Sequence, residues 1–172
     1  MINEIHICSL ANLVETVEQT SARYVISSIN PWSIPATPPG VEDGHHLRIA
    51  INDIERPHGT LVHPEPHHID HLFSFAQRWN RDGPLVVHCL AGISRSSASA
   101  FIVACTLNET TPEQTIANAL RQASLVAHPN RLMVEHADTL LNRNGRMIAA
   151  IKALSPGAAT MEAETYSIPS CY

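Results

Sequence analysis

Residues 85–104 constrain the fold more tightly than any other stretch of the chain. Leu85-Val86-Val87 is a short apolar run of the kind that forms a buried strand. Ser97-Ala98-Ser99-Ala100-Phe101-Ile102-Val103-Ala104 reads as the first turns of a buried helix. Between them stands His88-Cys89-Leu90-Ala91-Gly92-Ile93-Ser94-Arg95-Ser96. A strand, a tight loop and a helix opening on an arginine make an anion site, because the loop amides and the helix N-terminus converge on one point. Arg95 offers a planar fork for two oxygens. Cys89 sits at the floor, in the positive field that favours thiolate over thiol. By composition, a Cys with His before it, Gly three after and Arg six after is expected roughly 0.0006 times. Cys8, Cys105 and Cys171 lack the arginine. The bland alternative is a core cysteine beside a polar helix start.

The Ala91-Gly92-Ile93-Ser94-Arg95-Ser96 stretch resembles the cysteine-dependent phosphatases of the protein tyrosine phosphatase superfamily, and within it the dual-specificity branch. The resemblance extends to Tyr24-Val25-Ile26-Ser27-Ser28-Ile29-Asn30-Pro31, to Leu47–Asp53 and to Ala127-His128-Pro129-Asn130, covering residues 4–145 in short motifs. It implies an α/β fold with a central, mostly parallel sheet of about four to five strands flanked by helices. It also implies two-step phosphomonoester hydrolysis through a cysteinyl-phosphate, with no metal or other cofactor.

The chemistry of each residue type fits such a scheme. Cys89 is the nucleophile, attacking phosphorus in line with the departing oxygen. The amides of Leu90, Ala91, Gly92, Ile93, Ser94 and Arg95, with the Arg95 guanidinium, hold the equatorial oxygens. Gly92 permits tight curvature and a positive φ. Ser96 is placed to hydrogen-bond the sulfur as it leaves, His88 to fix the loop's shape, and Asn130 belongs to the segment expected behind the loop. The leaving group needs a proton, and Asp53 is the first candidate to give it. Leu47, Ile49 and Ile51 alternate as in a strand. Asp53 follows at the carboxyl edge, where open α/β sheets bind ligands. Glu55 and Asp43 are its rivals, and an Asp in a plain turn is the alternative.

With 172 residues the chain reads as one domain, with residues 1–154 forming the catalytic unit and 155–172 a flexible C-terminal tail. No apolar run approaches a membrane span of about 18–20 residues. No signal-peptide pattern opens the chain, and four unevenly spaced cysteines suggest no disulfide framework, so a cytoplasmic location is expected. A net charge of −5 gives no footprint for nucleic acid. The uncharged loop tip argues against polyphosphorylated lipids. Partners are therefore expected to be phosphorylated proteins or peptides, with no membrane association; a small phosphorylated metabolite, nucleotide or phosphoinositide is the alternative. A non-catalytic phosphate-binding module and an arsenate reductase are further readings.

Along the chain, helices are expected over 12–21, 66–80, 112–126 and 130–144, with a further turn or two to Leu154. Ile69, Leu72, Phe73, Ala76 and Trp79 form the buried face of the second. Thr111-Pro112-Glu113-Gln114 reads as a capping box. Strands are expected at 1–10, at 23–29 and through Arg48. The proline-rich loop 31–40 exposes Trp32 as a candidate substrate contact. His58, His63, His67, His68 and His71 cluster after Asp53; His67 and His71 share the spacing of a zinc pair, but no Cys or carboxylate set completes a site and a solvated or partly packed polar face explains them better. Cys105 is a core cysteine or a reserve thiol for Cys89.

Overall fold

The computed structural model describes residues 3–79 and 81–172. Five strands form one sheet: β1 (Glu4–Ser9), β2 (Tyr24–Ile29), β3 (His46–Ala50), β4 (Leu85–Cys89) and β5 (Tyr166–Pro169), in the order β3-β2-β4-β1-β5. The first four are mutually parallel, and β5 runs antiparallel to β1. Their apolar residues alternate between two faces, as pleating requires. Ile5, Ile7, Ile26, Leu85 and Val87 face the larger core, whereas Cys8, Val25 and Val86 meet Leu13 and Val17 of α1 (Leu13–Thr20) on the other side. Parallel strands put the ends of β1, β2, β3 and β4 at one edge, and the residues of interest lie there.

The larger face is covered by α2 (Pro66–Trp79), α3 (Arg95–Leu107), α4 (Glu113–Ala123), α5 (Arg131–Leu140) and α6 (Arg146–Lys152). Every residue of α3 from Arg95 to Cys105 is buried. Its small side chains let it lie close on the sheet, where the Ser99 and Ser28 hydroxyls meet at 2.8 Å. No helix among the described residues is long and apolar enough to cross a membrane.

Several expectations change. The C-terminal stretch is not a free tail. Ile168 pairs with Ile5 in β1, while Ala163, Ile168 and Ser170 are buried. Arg81 and Asn108 both donate to the Ser170 carbonyl, at 3.0 and 2.9 Å. Residues 155–172 thus belong to the folded unit. On α2 it is Phe75, not Phe73, that is fully buried, since i+3, i+4 and i+7 from Leu72 form the tighter stripe with Ala76 and Trp79. The end of that helix at Asn80, like Met1 and Ile2 of the first strand, lies outside the described residues. The capping box does not form, and α4 ends at Ala123 rather than Val126. Gln114 donates to Asn118 at 2.9 Å instead, and the neighbouring Glu113 carboxylate turns inward to Arg143 at 3.2 Å and Arg146 at 3.1 Å. Arg143 also donates to the Cys105 and Glu109 carbonyls, so one buried ion pair ties the ends of α3, α4 and α5.

A polar thread crosses the sheet beneath its functional edge. The Ser27 hydroxyl lies 2.5 Å from His88 Nε2 and 2.7 Å from His46 Nε2. His88 Nδ1 lies 3.2 Å from the Cys89 carbonyl. A carbonyl only accepts, so His88 carries its proton on Nδ1 and takes the Ser27 proton on Nε2. The ring is therefore neutral. Burial, assisted by the Arg95 guanidinium, pulls His88 down to about 4; burial and Arg48 do the same for His46.

Two outcomes are expected. Glu113→Ala leaves Arg143 buried without its partner and should cost about 3–5 kcal/mol, measured as a drop in the urea midpoint. An imidazole neutral in the fold but free to protonate when unfolded makes stability rise with pH between its two ionisation values. The contribution of His88 and His46 is complete above about 6.5 and is lost as pH falls towards about 4. Urea midpoints taken from pH 7 to pH 4 should fall, and His88→Asn should flatten that slope; equal slopes in the two proteins would contradict the assignment.

Candidate active site

Cys89 ends β4 at the carboxyl edge of the sheet, 2 % exposed. The chain then turns through residues 90–94 into α3. What shapes this loop is the fate of its carbonyls. Leu90 O accepts from Leu10 N at 3.2 Å, and Ala91 O from Ala163 N at 2.9 Å. Gly92 O receives the Tyr166 hydroxyl at 3.4 Å. Ile93 O accepts from His128 N at 3.0 Å, and Ser94 O from Asn130 N at 3.3 Å. Five successive carbonyls are held outward by the surrounding chain. None of the amides of residues 90 to 94 has a protein acceptor among the described residues. Successive unpaired amides curled around one point form an anion-binding nest. Gly92 is required twice over: its φ is +75°, and a Cβ there would lie 3.0 Å from the backbone of Cys8 and Ser9.

Arg95 opens α3 and is 3 % exposed. Its Nη1 donates to the Asn30 side-chain oxygen and to the Ile51 carbonyl, both at 2.8 Å. These fix the plane of the guanidinium. Its Nε is buried with no protein acceptor, 4.0 Å from Asp53 Oδ2. A donor left unmatched in the interior is costly, and an anion in the nest would satisfy it. The Ser96 hydroxyl lies 3.2 Å from Cys89 Sγ.

Asp53 follows β3, as its position after the alternating strand suggested, and leans over the loop. Its Oδ1 accepts from Ser94 Oγ at 2.7 Å and from Asn130 Nδ2 at 2.9 Å, while the side chain stays 40 % exposed. Asn130 also caps α5 by accepting from Met133 N at 3.1 Å. Cys89, Arg95, Ser96, Asp53 and Asn130 thus come together, with His88 directly beneath.

The rivals of Asp53 have other employment. Glu55 accepts the Arg131 amide at 3.0 Å, at the head of α5. Asp43 is bound to Arg48 at 2.8 Å and Thr37 at 2.6 Å. Trp32 is 70 % exposed two residues beyond Asn30, at the same sheet edge. Cys105 lies ten residues along α3 from Arg95, about 15 Å at the rise of a helix, and burial pushes its thiol up; it is a core residue, and the reserve-thiol reading is corrected. His68 accepts the Glu65 amide on Nδ1 at 3.0 Å, reaching back across the first turn of α2. His67 and His63 flank the Glu65 carboxylate at 3.2 and 3.6 Å. Among the described residues no three His, Cys, Asp or Glu side chains are grouped to hold a metal ion. The sequence reading missed Asn30, Ala163 and Tyr166. Asn30 stood in a quoted motif, but nothing local marks the other two.

Both the sequence and the fold have known counterparts. The protein-tyrosine phosphatase family model matches residues 59–139. The fold is that of DUSP15, with a TM-score of 0.63 at 15% identity over 88% of this chain and 92% of the other. Human DUSP28 superposes with a TM-score of 0.63 at 16% identity, over 81% and 92%. PTPMT1 in complex with PI(5)P gives 0.59 at 15% identity, over 80% and 87%. No curated protein sequence is significantly similar to the chain. Over residues 59–139 the chain is similar to the protein-tyrosine phosphatase family, and its fold is the one seen in dual-specificity phosphatases.

Proposed function

We propose that the protein hydrolyses phosphotyrosine in proteins or peptides, and phosphoserine or phosphothreonine as well, with Cys89 as nucleophile. One observation carries this reading: five consecutive loop amides and the buried Arg95 Nε lack protein acceptors around the sulfur. They form a ready receptor for a tetrahedral oxyanion. The N-terminus of α3 and the amides favour the anionic sulfur that attack requires.

In the first step the Cys89 sulfur attacks phosphorus and the bond to the alcohol or phenol oxygen breaks. Asp53 gives that oxygen its proton. The loop amides and Arg95 hold the three equatorial oxygens while charge redistributes. In the second step water attacks phosphorus and its proton passes to Asp53. The sulfur leaves as thiolate, stabilised by the Ser96 hydroxyl, and phosphate departs. Ser94 and Asn130 fix the orientation of Asp53 by holding one oxygen. His88 shapes the loop through its bond to the Cys89 carbonyl and moves no proton.

Peptide substrates are favoured over small metabolites by the rim. Trp32 offers an exposed aromatic face two residues beyond Asn30, which holds Arg95, and Leu90 is 50 % exposed at the loop tip. Neither a sugar phosphate nor a polyanionic headgroup gains from such surfaces.

Expected outcomes follow for kinetics without added metal. Cys89→Ser should abolish turnover of an aryl phosphate and of phosphopeptides while leaving vanadate binding measurable. Arg95→Lys should lower kcat/KM by at least about a hundredfold. Asp53→Ala should lower kcat by about 10²–10⁴-fold with KM little changed. Trp32→Ala should raise KM for phosphopeptides more than for an aryl phosphate. Undiminished turnover in the Cys89 variant would defeat the proposal. A panel in which sugar, nucleotide or inositol phosphates outpace every phosphopeptide would replace its substrate.

A further inference from the structure

We infer that the cleft beside the phosphate cradle ends in a second anion subsite, formed by Arg131 and Lys152, that recognises an acidic side chain or second phosphate on a peptide substrate. The inference rests on the phosphopeptide reading above and names a determinant of its specificity.

Two neighbouring hollows make the cleft. The first encloses about 1130 Å³, partly open to solvent, between Asp53, Ser94 and the strap at Gly157–Thr160. The second encloses about 590 Å³ and is lined by Arg121, Arg131 and Lys152. His128, Pro156 and Gly157 border both, so the two are continuous. A chain in the first hollow leads directly from the cradle into the second.

The charges are unevenly distributed. The chain carries net −5 and only 11 Lys and Arg residues. Arg23, Arg48, Arg95, Arg143 and Arg146 face carboxylates within 4.0 Å. Arg121, Arg131 and Lys152 form no ion pair among the described residues, yet all three line one hollow that contains no carboxylate. Arg121 spends Nη1 on the Ser124 and Leu125 carbonyls at the end of α4, while its Nε is buried with no acceptor. Glu135, one turn beyond Arg131 on α5, stands on the outer side of the same pair. Three cations lining one hollow repel one another, and a bound anion relieves that repulsion.

The stretch between cradle and basic hollow decides the kind of occupant. It carries the carboxylates of Asp53 and Glu55 and, opposite, the small residues Gly157, Ala158 and Ala159. A compact ring bearing several phosphates would set its negative charge against those carboxylates. An extended peptide crosses them with neutral backbone and delivers its acidic group beyond.

The test compares kcat/KM for phosphotyrosine peptides with neutral flanks, with Asp or Glu scanned on either side, and with a second phosphate. Each value is normalised to aryl phosphate turnover by the same protein, so that loss of folded enzyme cancels. The wild type should prefer the best acidic peptide by about tenfold, less so in high salt. Arg131→Gln with Lys152→Gln should bring the preference to near unity. Equal treatment of acidic and neutral peptides by the wild type, or a preference that survives the double substitution, would overturn the inference. So would inositol polyphosphates outcompeting every peptide in a manner dependent on these two residues. If aryl phosphate is not turned over at all, the catalytic reading fails separately. The subsite is then judged by fluorescence anisotropy of the same peptides on Cys89→Ser protein with and without the two glutamines.

Discussion

The outward pull on five carbonyls holds this molecule's chemistry together. A peptide unit is a dipole, and turning its carbonyl away from a point necessarily turns its N–H toward it. In the loop after β4 this happens at Leu90, Ala91, Gly92, Ile93 and Ser94, and the donors come from widely separated places. Leu10 follows β1, His128 and Asn130 precede α5, and Ala163 and Tyr166 belong to the C-terminal segment. The cradle is therefore a property of the whole fold rather than of the nine residues that spell it. A single carbonyl released to swing inward would put negative potential beside the sulfur and remove one donor from the nest.

That dependence explains why the C-terminal segment is folded in although its composition suggests otherwise. Apart from Met161, residues 155–165 are small, polar or proline, with no period to suggest strand or helix. Their order comes from partners distant in sequence: Ala158 N on Leu125 O, Ala163 N on Ala91 O, and the β5 register on β1. A four-residue edge strand has too few alternations to announce itself. Its pairing is set by the strand it meets, not by its own propensity.

Elsewhere the sequence is legible because local pattern and tertiary demand coincide. Leu85-Val86-Val87 is apolar on both faces and is buried on both, as a central parallel strand must be. The alternation of Leu47, Ile49 and Ile51 leads to Asp53, and the structure sets that carboxyl over the loop. Legibility fails where two local rules compete. Thr111 and Gln114 spell a capping box, but the Gln114 amide donates one turn on to Asn118 and no side chain caps the helix. Phe73 and Phe75 sit two apart on one helix, and only the completed stripe chooses between them. Asn30 reads as a turn residue before proline; only in three dimensions does its carbonyl oxygen fix the guanidinium that faces the anion.

The same economy governs the arginines. Ten of the eleven basic residues are Arg, and Arg81, Arg121 and Arg143 each donate to two main-chain carbonyls. Arg81 ties the end of α3 to Ser170, Arg143 ties α3 to the loop before α4, and Arg121 closes the end of α4. A guanidinium suits this work because its donors are fixed in one plane. The consequence reaches the active site. Positive potential at the cradle comes from aligned backbone dipoles and one buried guanidinium, not from a halo of mobile surface charge. Dipoles fixed in place act only at short range. A tetrahedral anion in such a cradle would be held by fit to its curvature rather than by long-range attraction.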